Sequence, residues 1–301
     1  MKKIAISLGD LNGIGIQLAL ENHKKVSKLC SPIYCINNKL LKKAAKKLDI
    51  KIPKSFNIYN TKGNFKIKAG QVSKKSGLFS YNSFLDAINI VKEKKASSVC
   101  TLPINKESWN KAGISYVGHT DMLRDIFKKD AIMMLGCEKM YVALFTEHIA
   151  LKEVASNITY KKLYSFLSDF YKSETPTKVA VLGLNPHAGD NGVLGDEEKI
   201  ITKVIKDINQ KLKKDIFDGP KVPDILFSKN VRKKYKYFVA MYHDQGLIPL
   251  KALYFEQSIN ISLNLPILRT SVDHGTAFDI AYKKNNNLSN LSYINAIKKL
   301  I

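Results

Sequence analysis

Arginine is almost missing from this sequence. Of its 49 basic residues only Arg124, Arg232 and Arg269 are arginines, and the other 46 are lysines. The formal net charge of +23 on 301 residues would suit a nucleic-acid partner, because clustered cations bind a phosphate backbone by releasing counterions. Base-edge and phosphate recognition favours the planar, bidentate guanidinium, however, and no nucleic-acid-binding motif accompanies the charge. The lysines read as solvated helix faces, and a basic nucleic-acid-binding protein is left as a distant alternative. Cysteine is scarce too. Cys30, Cys35, Cys100 and Cys137 include no CxxC pair, which excludes a zinc knuckle and argues against a disulfide framework. Cys100 and Cys137 lie in or beside apolar runs, where a reduced core thiol is the usual state. No run approaches the roughly 20 apolar residues of a membrane span. The apolar stretch before Gly9-Asp10 is too short for a signal-peptide core. These absences predict a cytoplasmic protein with neither a membrane nor a nucleic-acid partner.

What is present is a real core and an alternating rhythm. Hydrophobic residues make up 45% of the chain and aromatics 9%, which excludes a largely disordered protein. Short apolar runs predict strands over 3–8, 31–36, 98–102, 131–135, 140–145, 178–184 and 237–242. Helical spacing predicts helices over 16–24, 39–48, 82–95, 121–128, 160–172 and 196–213. Residues 52–76 read as polar and irregular, and 283–291 as a loop before a final helix. Alternating strands and helices imply a mostly parallel sheet with helices on its faces, and the length suits two α/β domains.

The histidines carry most of the functional information. His23 sits in a lysine-rich helix and reads as surface. His119, His148, His187, His243 and His274 all lie in turn-like segments. Three of them follow apolar strands directly, in VALFTEH, VAVLGLNPH and YFVAMYH. Active sites of open α/β sheets gather at the carboxyl ends of the strands, so these rings could meet although they are far apart in sequence. Neutral imidazole suits a borderline cation such as zinc, but a histidine after a strand is also an ordinary hydrogen-bonded residue. The loop Gly9-Asp10-Leu11-Asn12-Gly13-Ile14-Gly15 fits neither a Rossmann nor a Walker pattern, and reads equally as a tight strand-to-helix turn or an anion cradle. Arg269, retained in a lysine-rich chain, hints at bidentate binding of a carboxylate or phosphate, and sits in the turn-like stretch 266–271. Lys106, Lys251 and Asn260 are further candidates that also read as ordinary surface or edge residues.

Taken together, GDLNGIG, LPINKE, GHTD, TEHIALKEV, LNPHAGDNGVLGDEE, VAMYHDQGLIPLK and INISLNLPILRTSVDHGTAFDIA resemble the 4-hydroxythreonine-4-phosphate dehydrogenase family of vitamin B6 biosynthesis. They run in family order from residue 9 to residue 281. The resemblance implies two α/β domains around a cleft, isocitrate/isopropylmalate dehydrogenase-like, in a homodimer whose active site uses both subunits. The first domain, on the cofactor side, would span 1–102 plus 247–301. The second, with the metal ligands and the dimer contact, would span 103–246. By family pattern a divalent metal (zinc, magnesium or cobalt) falls on His148, His187 and His243. The phosphorylated substrate falls to His119, Thr120, Lys251, Asn260 and Arg269. The stretch His274, Gly275, Thr276 and Asp279 resembles the loop contacting the adenosine end of NAD or NADP in the wider dehydrogenases. Lys106 or Asp244 would assist proton transfer. The implied reaction oxidises 4-phosphooxy-L-threonine at C3, and the β-keto acid loses CO₂ to give 3-amino-2-oxopropyl phosphate. A related dehydrogenase of 4-phosphoerythronate or 4-phosphothreonate is the nearest alternative. Two places depart from the family pattern. The early loop, usually GDPAGIGPE, reads GDLNGIGIQ, and IAGKG reads Ile280-Ala281-Tyr282-Lys283-Lys284.

Overall fold

The apolar run after Lys2 forms β1 (Lys3–Ser7), buried from Ile4 onward, and the chain then winds strand after strand through helices. The computed structural model describes residues 1–283 and 288–301; Lys284 and part of the expected 283–291 loop lie outside the described residues. One unit comprises residues 1–129, 259–261 and 265–301, and the other 130–258 and 262–264. These limits differ from the expected ones after 102 and 246. The helices that follow Leu102 bury Trp109, Met122 and Leu123 in the first unit's core, beside Phe84, Ala87 and Ile88. Leu247 and Leu250 are buried in the second unit's core with Val142 and Phe238. Burying each such side chain is worth about 1.5–3 kcal/mol, so each helix stays with the core that covers it.

In the first unit β1 is followed by α1 (Gly15–Val26), β2 (Ser31–Cys35), α2 (Asn38–Leu48), β3 (Ile58–Tyr59), α3 (Lys74–Lys92) and β4 (Ser98–Thr101). Two helices, α4 (Lys106–Lys111) and α5 (His119–Phe127), complete its first segment. The strand order is β3-β2-β1-β4, continuing to β11 (Leu268–Val272). The pairings β2–β3, β1–β2, β1–β4 and β4–β11 are all parallel, as the crossover helices require. The strand β10 (Ile259–Leu263) precedes β11.

Helix α3 begins about two turns before the expected Asn82. Its early residues Ser76, Gly77 and Ser80 look like loop composition but are buried. A Cβ at Gly77 would stand 2.0 Å from the Ser108 carbonyl oxygen, so the close approach of α4 requires glycine there. Ser80 Oγ accepts the Trp109 Nε1–H bond at 2.7 Å, satisfying the indole where it is fully buried.

The second unit runs β5 (Ile132–Cys137), β6 (Met140–Leu144), α6 (Val154–Asn157), α7 (Tyr160–Glu174), β7 (Val179–Leu182) and α8 (Glu197–Leu212). It continues through β8 (Phe217–Lys221), α9 (Pro223–Leu226), α10 (Lys229–Arg232), β9 (Tyr237–Ala240) and α11 (His243–Tyr254). Its strand order is β5-β6-β9-β7-β8. The β5–β6 hairpin is antiparallel; β6–β9, β9–β7 and β7–β8 are parallel. The chain ends in α12 (Leu291–Lys298), which belongs to the first unit.

Two expectations need correcting. His23 is buried, not on the surface: its ring nitrogens bond to Tyr34 Oη at 3.0 Å and Ser55 Oγ at 2.9 Å. Its ring also packs against that of Phe56. The stretch around Arg269 is a strand, not a turn, because Arg269, Thr270, Ser271 and Val272 are all buried in β11. The four cysteines are free and buried, as expected of Cys100 and Cys137. Among the described residues no helix is long and apolar enough to cross a membrane.

Candidate active site

Three histidines were expected at strand ends, and in the second unit β6, β9 and β7 do lie side by side. Leu144 of β6 pairs with Ala240 of β9, so the chain leaves both strands at the same edge. There Phe145 N donates to Ala240 O at 2.9 Å, and Thr146 Oγ1 donates to Met241 O at 2.6 Å. These bonds carry His148 and His243 to ring centroids 5.7 Å apart. His243 is the first residue of α11 rather than part of a turn. Its Nδ1 lies 2.7 Å from Asp244 Oδ1. With Nδ1–H donating to that carboxylate, Nε2 is the nitrogen with a lone pair to offer, an arrangement common among metal-bound histidines.

The third expected ligand behaves differently. His187 lies in a 3₁₀ turn over Pro186–Gly192, where five consecutive residues, His187 to Asn191, take left-handed backbone angles. For an L-residue that conformation is unfavourable by roughly 1–2 kcal/mol, so a run of it persists only where its surroundings impose it. Among the described residues of one chain no group of three His, Cys, Asp or Glu is assembled closely enough to hold a metal. The chain thus presents the His148–His243 pair, which fits part of a metal's donor set, and His187 on a separate exposed turn.

In the first unit, His119 and Thr120 open α5 and are buried, His119 in a helix rather than the expected turn. The His119 ring meets Phe84 edge-on at 4.6 Å and Trp109 at 5.9 Å. Burial holds its pKa well below the usual histidine range, and the charge of Arg269 pushes the same way. The imidazole is therefore neutral near pH 7. Its Nε2 is buried and makes no hydrogen bond. A buried polar atom left in that state costs about 1–3 kcal/mol, which a bound ligand could recover.

Arg269 is 2% exposed. Nε and Nη2 both donate to Thr101 Oγ1, at 3.1 and 2.7 Å, and Nη1 donates to Asn260 Oδ1 at 3.4 Å. Burial pushes its pKa down to about 9, the mark of a cation kept from water. Arg269 is thus a buried cation whose guanidinium is held in place by Thr101 and Asn260. Lys251 lies half-buried in the last turn of α11, its Nζ over the Phe255 ring at 5.3 Å. Lys106 is exposed at the start of α4, and Asp244 is exposed with its carboxylate on His243.

The early loop is built as a turn. Its amides are taken by backbone carbonyls: Asp10 N by Pro103 O, Gly13 N by Asp10 O and Ile14 N by Thr276 O. Asn12 ties it to the 68–76 segment, accepting from Lys68 N and donating to Gln71 O and Ser76 Oγ. Asp10 accepts from Asn12 N and Ser76 Oγ, and burial holds its carboxyl above the usual range. The Thr276 carbonyl makes the 274–279 stretch part of the same structure. His274 and Thr276 are half-buried, Gly275 and Asp279 exposed, and His274 Nδ1 lies 3.2 Å from Gly275 O.

Sequence reasoning missed three residues that hold these groups. Thr101 orients Arg269. Gln245 accepts from Met241 N at 2.8 Å and donates to Gly183 O at 2.7 Å, joining the ends of β9 and β7. Glu198 accepts from the backbone after β7. Gln245 and Glu198 stand inside the quoted motifs, and Thr101 directly precedes one. Nothing local marks Glu198 as buried: an acid in the first turn of a helix is usually exposed, and this one is 7% exposed.

The family described as "Pyridoxal phosphate biosynthetic protein PdxA" matches residues 28–300. A curated relative from Sulfurimonas denitrificans, "4-hydroxythreonine-4-phosphate dehydrogenase", is 62% identical, over 99% of this chain and 97% of its own. A solved structure from Salmonella typhimurium, a putative 4-hydroxythreonine-4-phosphate dehydrogenase, superposes with TM-score 0.82 at 30% identity, covering 100% of this chain and 98% of its own. Isocitrate dehydrogenase from Methylococcus capsulatus shares the fold alone, with TM-score 0.50 at 12% identity, covering 100% of this chain and 85% of its own. The chain belongs to the PdxA family, a family of dehydrogenases.

Proposed function

We propose that the chain oxidises 4-phosphooxy-L-threonine at C3 with NAD⁺ or NADP⁺ and a divalent cation. The β-keto acid formed then loses CO₂ to give 3-amino-2-oxopropyl phosphate. The observation that carries this reading is the approach of His148 and His243 at one strand edge, with His243 Nδ1 held by Asp244. Family membership supports the dehydrogenase chemistry.

The residues divide the work by their chemistry. Arg269, Asn260, Lys251, Thr120 and His119 hold the phosphate and carboxylate of the substrate. For this the buried guanidinium supplies a fixed charge and the neutral His119 Nε2 a further polar contact. His148, His187 and His243 hold the cation (zinc, magnesium or cobalt), with a second copy of the chain completing the donor set. When bound, that cation lowers the pKa of the C3 hydroxyl and polarises the ketone, and the nicotinamide ring accepts the hydride. Lys106 or Asp244 assists proton transfer from the hydroxyl, Asp244 from its place beside His243. His274, Gly275, Thr276 and Asp279 receive the adenosine end of the dinucleotide. The setting is cytoplasmic and the assembly a homodimer.

The test is a spectrophotometric NADH assay with 4-phosphooxy-L-threonine beside 4-phosphoerythronate and 4-phosphothreonate. Preference for the amine-bearing phosphooxythreonine, abolished by chelator, supports the reading; preference for a sugar acid replaces it with the sister activity.

A further inference from the structure

After β7 the chain must turn sharply enough to present His187, and one carboxylate holds the point where the turn begins. Leu184 N and Asn185 N both donate to Glu198 Oε1, each at 2.8 Å. Asn185 Nδ2 donates to Glu198 Oε2 at 2.9 Å and to Glu197 Oε2 at 2.7 Å. The turn closes against the same group. A Cβ at Gly189 would stand 2.7 Å from Glu198 Oε2, and Gly189 itself has φ +79°. Ala188 N donates to Asn185 O at 3.1 Å, and Leu194 N donates to Gly189 O at 3.1 Å.

A helix N-terminus does not need this arrangement. The neighbouring Glu197 already places an acid in the first turn of α8, where it meets the helix dipole. Glu198 instead turns inward and takes three donors, two of them from the backbone, directly before five left-handed residues. A run of unfavourable backbone persists only when something over-determines it, and here the buried carboxylate anchors its origin.

We propose that Glu198 is a positioning residue for His187: its carboxylate fixes the Leu184–Asn185 backbone so that the left-handed turn offers the His187 imidazole to a divalent cation. The proposal rests on reading His187 as a ligand. It predicts that damage to Glu198 weakens cation binding without touching substrate affinity.

Zn²⁺ alone is titrated calorimetrically into the full-length wild type, Glu198→Gln, Glu198→Ala and His187→Ala. Hydrogen exchange of the Leu184 and Asn185 amides is followed alongside. Glu198→Gln keeps one oxygen for the two backbone donors but sets an amide NH₂ against Asn185 Nδ2, so an intermediate loss is expected. Glu198→Ala should weaken Zn²⁺ binding about 10–100-fold, the usual effect of removing an outer partner of a ligand. It should also speed exchange of both amides and lower kcat with KM for the phosphorylated substrate unchanged. If Glu198→Ala does not fold, Glu198→Gln alone decides, by a measurable loss of Zn²⁺ affinity. Wild-type Zn²⁺ affinity in the Glu198 variants, with affinity lost in His187→Ala, overturns the proposal and leaves the metal reading standing. Wild-type affinity in His187→Ala overturns the metal reading, and the proposal with it.

Discussion

The Tyr282 hydroxyl donates to the Leu11 carbonyl at 2.7 Å. The two places where this chain departs from its family's pattern therefore touch each other. Tyr282 takes φ +62°, a left-handed conformation that glycine adopts freely and tyrosine does not. Burial raises its phenol pKa, so the hydroxyl stays a donor. The bond and the half-buried ring offset the unfavourable backbone, and the neighbouring Asn12 ties the same loop to Lys68, Gln71 and Ser76.

Tyr282→Phe removes that one bond and keeps the ring. It should destabilise the protein by about 1–2 kcal/mol, a fall of roughly 2–4 °C in Tm for a chain of this size. Differential scanning calorimetry checks this; an unchanged Tm shows that the strap contributes nothing.

Arg269→Lys keeps a charge but loses the fork that bonds Thr101 and Asn260. Hydrogen bonds to charged groups are worth about 1.5–3 kcal/mol, so KM for the phosphorylated substrate should rise roughly 10–100-fold. Steady-state kinetics decide it, and a wild-type KM removes Arg269 from the anion site.

Stability should fall in mild acid. His23 and His119 both have pKa values lowered from 6.5, each chiefly by burial. A histidine lowered in the folded state binds protons more readily once unfolded. Its contribution is therefore present above pH about 6.5 and lost as the pH falls below it. In denaturant titrations the stability advantage of the wild type over His23→Gln should shrink from pH 7 to pH 5. A constant difference contradicts the burial argument.

Asp244→Asn leaves His243 with a weaker partner at Nδ1. Zn²⁺ affinity should drop about 10–100-fold while the fold, read by far-ultraviolet circular dichroism, is unchanged. Unaltered affinity would falsify the orienting role of Asp244.

Much of this fold was legible because its strands are short, fully buried and flanked by turn residues. The expected strand 140–145 appears as Met140–Leu144, and 237–242 as Tyr237–Ala240. Their parallel pairing brings two scattered histidine motifs, those of His148 and His243, together at one strand edge, while His187 lies on a separate turn after β7. What failed did so where tertiary contacts overrode local composition. His243 opens a helix despite Gly246 and Pro249, because Gln245 reaches back to Met241 N. Arg269 lies in a strand because Thr101 bonds its guanidinium inside the sheet. His23 is buried because Tyr34 and Ser55 receive its ring nitrogens. Ser55 and Thr101 stand too far along the chain from their partners for a local pattern to reveal them.

Oxidation of 4-phosphooxy-L-threonine with the help of a histidine-held cation is tested by NADH formation from that substrate before chelation, after it, and after divalent metal is added back. Chelator should abolish NADH formation and metal should restore it, and a His148→Ala/His243→Ala variant should form no NADH with or without added metal. NADH formation indifferent to chelator, or retained in the double variant, would contradict this reading.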